Sequence, residues 1–291
     1  MPAELFALAN AFFFALHNML TRKGLKYSNP HTAVLTSLAI NVVVLWSVSL
    51  LFLPVELLTI AGIFIFVLVG LFQPGLTRLL TYKSIETVGV AITDPLRATT
   101  PMFSTFLAIL LLGEQMTLVI FFATLLIVAG ITLLSLRGEA TKNIRGRYFF
   151  YPLLASFLAG SSQILRKFGL GAIPHPILAA AVTATSSLVV VSLTVWVSSR
   201  RKKILVLDKR CFPFFLAAGL AISLGMVTIY YALDLGKVVV VIPITSTGPL
   251  FSLILTVLFL KGVERVTLKI VLGATLIISG VILLTLWKLI S

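Results

Sequence analysis

The chain has 291 residues, of which 59% are hydrophobic and only 11% charged, with a formal net charge of +14. Soluble domains carry about 25% charged residues, so a fold bathed in water on every side is excluded, because too little polar surface exists to cover it. The Lys and Arg residues fall in short gaps between long apolar runs, which argues against a nucleic-acid surface and for a membrane-topology signal.

A helix needs about 20 mostly apolar residues to span lipid. In chain order such runs lie at roughly 3–21, 32–52, 57–80, 87–111, 116–136, 149–168, 175–197, 212–232, 238–260 and 267–287. Backbone inside lipid must satisfy its own hydrogen bonds, so each run is predicted to be helical. The period-two alternation that marks a β-barrel is absent. The fourth run contains Pro95 and Pro101, and the ninth contains Pro243 and Pro249. The first run has no basic segment before it and no small-residue cleavage site after it, so it reads as a retained helix and not a cleaved leader. The predicted fold class is an all-α integral membrane protein with ten transmembrane helices.

The sequence also repeats. Arg22-Lys23 followed by Pro30-His31 recurs 144 positions later as Arg166-Lys167 followed by Pro174-His175. Tyr82, Glu86, Pro95, Pro101 and Phe103 are answered at an offset of 148 by Tyr230, Asp234, Pro243, Pro249 and Phe251. Glu114 and Gly130 are answered at an offset of 150 by Glu264 and Gly280. These are polar residues, prolines and glycines in one order, so two units are predicted, at 1–140 and 146–291. Each unit has five helices. An odd number forces the second unit to enter the bilayer upside down, giving inverted repeats of the kind secondary transporters rock around a midplane site.

Odd-numbered connections carry eighteen of the 23 Lys and Arg residues, from Arg22, Lys23 and Lys26 through the 200–203 run to Lys269. Even-numbered ones carry Arg166, Lys167, Lys237 and Lys288, while Arg97 lies inside a span. Basic connections stay in the cytoplasm. Both termini are therefore expected outside a cell membrane that the chain crosses many times.

Ionisable groups within a bilayer are costly and usually face a cavity or a partner. Asp94 and Arg97 are three residues apart on one helical face, bracketed by Pro95 and Pro101, where they either line a substrate site or pair with each other. Their second-half equivalents are Ile242 and Thr245, so a site there is asymmetric. His17-Asn18 and Ser161-Ser162-Gln163 occupy matching points in the first helix of each unit, where they line the cavity or join helices by hydrogen bonds. Gln73 and Arg78 on the third span point to the same cavity, although Arg78 can also snorkel to the interface. Tyr230 and Tyr231 suit either a substrate surface or an interfacial aromatic belt. Glu114 and Glu264 stand at turns and suggest capping more than binding.

Cys211 is the only cysteine, the three histidines lack HExxH spacing, and no GxxxxGK[ST] occurs. Neither a metal site, a cofactor nor ATP hydrolysis is expected, and an enzyme is disfavoured. The expected partners are a small-molecule substrate and the lipid bilayer, with no nucleic acid; the oligomeric state leaves no mark. A lipid-flipping or structural membrane protein is the alternative reading.

The block Tyr230-Tyr231-Ala232-Leu233 through Pro243 and Pro249 to Gly262, Glu264, Gly273 and Gly280, with its weaker copy from Tyr82 to Gly113-Glu114 and Gly130, resembles the EamA-type family of the drug/metabolite transporter superfamily. The resemblance covers nearly the whole chain. It implies a ten-helix exporter or uptake carrier for metabolites such as amino acids or related compounds, with a central cavity. Four-helix multidrug carriers of the same superfamily hold an essential glutamate in their first helix; here the corresponding stretches are Phe14-Ala15 and Leu158-Ala159, with no carboxylate.

Overall fold

The computed structural model describes residues 3–52, 59–135, 146–199, 205–206, 208–259 and 268–290, and every regular element among them is helical. The chain opens with α1 (Ala3–Gly24) and α2 (Pro30–Phe52). α3 (Ile60–Gly70) passes through a π-helical turn at Leu71–Leu76 into α4 (Thr77–Val88). α5 (Val90–Arg97) breaks before α6 (Thr100–Leu112), and α7 (Leu118–Ser135) follows. A 3-10 turn at Gly146–Phe149 leads into α8 (Phe150–Ala172) and then α9 (Pro176–Ser199). The remaining helices are α10 (Phe212–Leu235), α11 (Val238–Thr245), α12 (Gly248–Phe259) and α13 (Leu268–Ile290).

Among the described residues, eight stretches are long and apolar enough to cross a membrane: α1, α2, α3 with α4, α5 with α6, α9, α10, α11 with α12, and α13. α7 is apolar over the shorter Leu118–Leu134, and α8 carries Arg166 and Lys167. Large apolar side chains such as Val43, Leu51, Ile60, Phe106 and Leu118 lie on the outside of the bundle. Water would penalise that surface, whereas lipid accepts it.

One boundary differs from the sequence expectation. The third run was expected to stop near residue 80, yet helix continues to Val88 and ends at Gly89, whose φ of +80° suits glycine. The polar residues there find local partners. Thr81 Oγ1 donates to Thr77 O and Thr87 Oγ1 to Lys83 O, and Ser84 and Thr93 share a 2.6 Å hydroxyl hydrogen bond.

Small residues set how closely the helices approach. Ala3, Ala7, Ala11 and Ala15 recur every fourth residue on α1, all at most 2% exposed, and let neighbouring helices approach closely; Ala15 packs against Leu255 of α12. Asn10 Nδ2 donates to Gly225 O and His17 Nδ1 to Ala218 O, so two polar cross-links run along the α1–α10 seam. At the α7–α13 seam the backbones nearly touch: a Cβ on Gly130 would sit 2.6 Å from Gly273 O.

Packing is related between the halves. α1 packs on α10, α11 and α12, while α8 packs on α3, α4, α5 and α6. α2 meets α9, and α7 meets α13. Exchanging the halves maps each of these pairings onto another of the set or onto itself. Connections tie together at one end of the bundle, where Ser28 Oγ donates to Val206 O and Val206 N to Thr32 Oγ1. The adjoining Arg210 guanidinium, stacked over the Tyr27 ring, also grips Asp208 and holds its carboxyl below the usual range.

Candidate functional site

A cavity of about 890 Å³ lies between the halves. Its α1 wall runs from Asn10 to Arg22, and its α7 wall is Ile131 and Leu134. It therefore extends from mid-bundle toward the end that holds the α1–α2 turn. Pockets for small ligands occupy roughly 300–1,000 Å³, so the size suits a small solute.

The breaks in the helices shape this wall. Gln73 departs from helical geometry (φ −136°, ψ 116°), and its side chain reaches across to α8. Ser162 Oγ and Gln163 Nε2 both donate to Gln73 Oε1, at 2.7 and 3.1 Å. Arg166 Nη1 in turn donates to Gln163 Oε1 at 2.9 Å. The Arg166 guanidinium lies 5.5 Å over the ring of Tyr230, whose hydroxyl bonds to Thr183 at 2.5 Å. This network runs from α9 through α10 and α8 to the turn between α3 and α4, with Arg166 at the cavity wall.

Asp94 and Arg97 sit at the α5–α6 break, and both line the cavity. They do not meet as an ion pair. Arg97 Nη1 donates instead to Thr81 Oγ1 at 2.7 Å, and Arg97 Nε is buried with no hydrogen-bond partner. Arg166 Nε is likewise buried and without a partner. The helix spacing permits the Asp94–Arg97 pair, but α4 supplies a nearer acceptor. On insertion scales an arginine at the bilayer centre costs about 2.5–3.5 kcal/mol, and such residues mark pathways.

Of the residues singled out from sequence, His17, Asn18, Gln73, Arg78, Asp94, Arg97, Gln163 and Thr245 line the cavity. Ser162 is fully buried behind it and reaches it through Gln73. Ser161 turns away and donates to Phe157 O of its own helix. Tyr230 is fully buried and serves neither as a cavity surface nor as a belt; it backs Arg166. Tyr231 stacks on Phe6, outside the cavity, with ring centroids 5.4 Å apart.

By charge alone Arg22 and Arg166 fall to connections, and Arg78 is expected either on the cavity or at the interface. The structure places Arg78 within α4 and Arg166 within α8, and all three line the cavity. The available signal is helical spacing: Arg166 stands three residues after Gln163 and four after Ser162, which puts it on their polar face. Asn10 and Asn41, also on the wall, carried no signal beyond being amides in apolar runs.

The other end of the bundle is packed shut. Glu114, at the α6–α7 turn, accepts from Val238 N and Val239 N at 2.8 and 2.9 Å. Lys167 Nζ donates to Leu233 O and Gly236 O at 2.5 and 3.0 Å. Thr59 Oγ1 donates to Ala172 O, and a Cβ on Gly236 would sit 2.6 Å from that of Ala3. These contacts satisfy helix-end groups that would otherwise be orphaned. Glu264, the repeat equivalent of Glu114, lies outside the described residues.

The family model described as the EamA-like transporter family matches residues 1–136 and again 147–286. The chain belongs to that family. A protein described as an uncharacterized transporter, from Archaeoglobus fulgidus, is 24% identical over 282 residues, covering 97% of each chain. An uncharacterized protein of Methanocaldococcus jannaschii is 37% identical over 84 residues, which make up 29% of this chain and 60% of that protein. Among solved structures that share the fold is a crystal structure with a TM-score of 0.81 at 15% identity, covering 98% of this chain and 96% of the other. EamA membership and the apolar helices together make this a multi-pass membrane transporter.

Proposed function

We propose that the chain is a secondary transporter of small metabolites that works by alternating access. Its ten crossings form two inverted five-helix units, at 1–140 and 146–291. The observation that carries this reading is the cavity itself. Both halves build its walls, and contacts between the halves close one end, at Glu114 and Lys167. Rocking one half against the other would break that closed end and narrow the cavity mouth.

The exchange of helix pairings between the halves supports the inverted repeat, since each α1 contact has an α8 counterpart. α7 and α8 complete the crossings beyond the eight strongest. The substrate contacts are assigned to His17, Asn18, Gln73, Arg78, Asp94, Arg97, Gln163 and Thr245, with Arg166 added. The mouth lies at the end whose connections hold most Lys and Arg, so the cavity faces the cytoplasm and both termini lie outside the cell membrane.

Two measurements test this reading. Purified protein in liposomes is assayed for counterflow across a panel of amino acids, organic anions and fluorescent lipids. Saturable exchange of a small solute is expected, and movement of lipids alone would refute the reading. A C-terminal reporter pair tests sidedness: alkaline phosphatase should be active and a cytoplasm-dependent fluorescent protein dark.

A further inference from the structure

We infer that the cavity selects small organic anions, carrying carboxylate or phosphate groups, and that Arg97 and Arg166 are the side chains that hold anionic oxygens of the solute. This inference rests on the transporter reading above and names its substrate class. Arg22, Arg78, Arg97 and Arg166 line the cavity, and among the described residues Asp94 is its one acidic wall residue. A cationic solute would meet an excess of like charge there, whereas an anion would relieve it.

The arginines differ in what they could do. Arg22 stands two residues from the end of α1, at the mouth, where a basic residue also serves as a topology signal. Arg97 and Arg166 lie deeper, at a helix break and inside α8, and topology gives no reason to place them there. Arg166 is only 7% exposed. Its position is fixed by Gln163 on one side and the Tyr230 ring beneath, so little freedom is lost when a ligand binds. Arg97 is held by Thr81. Each keeps a buried Nε–H with no acceptor. A guanidinium presents its N–H groups as a planar fork that matches a carboxylate or phosphate in two parallel hydrogen bonds. Buried donors left open are normally satisfied by something, and an anionic oxygen is the acceptor that also balances charge. The polar side chains of His17, Asn18, Gln73 and Thr245 on the cavity wall suit the polar remainder of such a solute.

The test uses the full-length protein in liposomes loaded with succinate, glycerol 3-phosphate, leucine or putrescine, each assayed by counterflow of the same labelled compound. Saturable exchange of succinate or glycerol 3-phosphate is expected, and which of the two dominates separates carboxylate from phosphate recognition. Arg166→Gln and Arg97→Gln should each raise KM for the anion by roughly tenfold or more. The Lys variants should recover part of that loss while keeping the charge but not the fork. Each variant is first checked for insertion and for a wild-type melting transition. Leucine or putrescine exchange without exchange of either anion would overturn the anion assignment and leave the transporter reading standing. Anion exchange with an unchanged KM in both Gln variants would overturn the role given to the arginines. Failure of exchange in every arm would remove both readings.

Discussion

The carboxylate of Glu114 accepts the backbone N–H of Val238, 124 positions later in the chain, at 2.8 Å. A residue from the α6–α7 turn thus caps the first turn of α11, satisfying two of the amides a helix start leaves open and placing negative charge at its positive end. Removing such a cap costs about 0.5–2 kcal/mol. Glu114→Ala is therefore expected to lower the melting temperature in detergent, and Glu114→Gln to lower it less. Because the contact also closes one end of the bundle, Glu114→Ala should expose that end. A cysteine at the buried Val241, in a Cys211→Ser background, should react faster with a maleimide when the cap is gone. Equal labelling with and without Glu114 would show that the cap does not govern closure.

Lys167 is the complementary clamp. Its ammonium donates to Leu233 O and Gly236 O at the end of α10, where cations are favoured. Lys167→Met should destabilise by roughly 1 kcal/mol, with Lys167→Arg nearer the native value. Glu114 and Lys167 lie within electrostatic reach of one another. The double variant should depart from additivity by about 0.5 kcal/mol or more. Strict additivity in thermal melts would mean that the two act as separate caps.

Much of this architecture could be read from composition, because lipid leaves a helical chain few alternatives. The apolar runs, and the helix ends that follow Pro95 and Pro243 by two residues, rest on local rules. What escaped depends on three-dimensional company. Arg166 looked like a flanking charge because its neighbour Lys167 is one: both lie near the end of α8, yet one faces the cavity and the other caps α10. Tyr230 looked like a surface aromatic because nothing in its own segment announces Thr183 or Arg166 as partners. Gln73 lines the cavity, and the non-helical backbone that presents it there is not legible from its residue type or spacing.

The α7–α13 seam yields a prediction independent of transport. A Cβ on Gly130 would meet Gly273 O at 2.6 Å, and one on Gly280 would meet Ala123 O at 2.7 Å. Backbone atoms cannot move aside as a side chain can, so Gly130→Val should force the helices apart. In lipid, where close packing drives helix association, this should lower the melting temperature and the yield of inserted protein. Gly171→Ala is the control, since a Cβ there meets nothing within 4 Å. If both variants melt alike, the seam is not tightly packed.

Tyr230 separates stability from substrate affinity. Its hydroxyl bonds to Thr183, and its ring supports Arg166 and meets Phe66 edge-on at 5.7 Å. Tyr230→Phe removes only the hydroxyl and leaves Thr183 unsatisfied in a buried site, at a cost of about 1–3 kcal/mol. The ring, and with it the platform under the guanidinium, remains. Melting should fall while KM for the transported solute stays within roughly twofold. Tyr230→Leu removes the platform too, so KM should rise along with the loss of stability. If Phe raises KM as much as Leu does, the hydroxyl and not the ring positions Arg166.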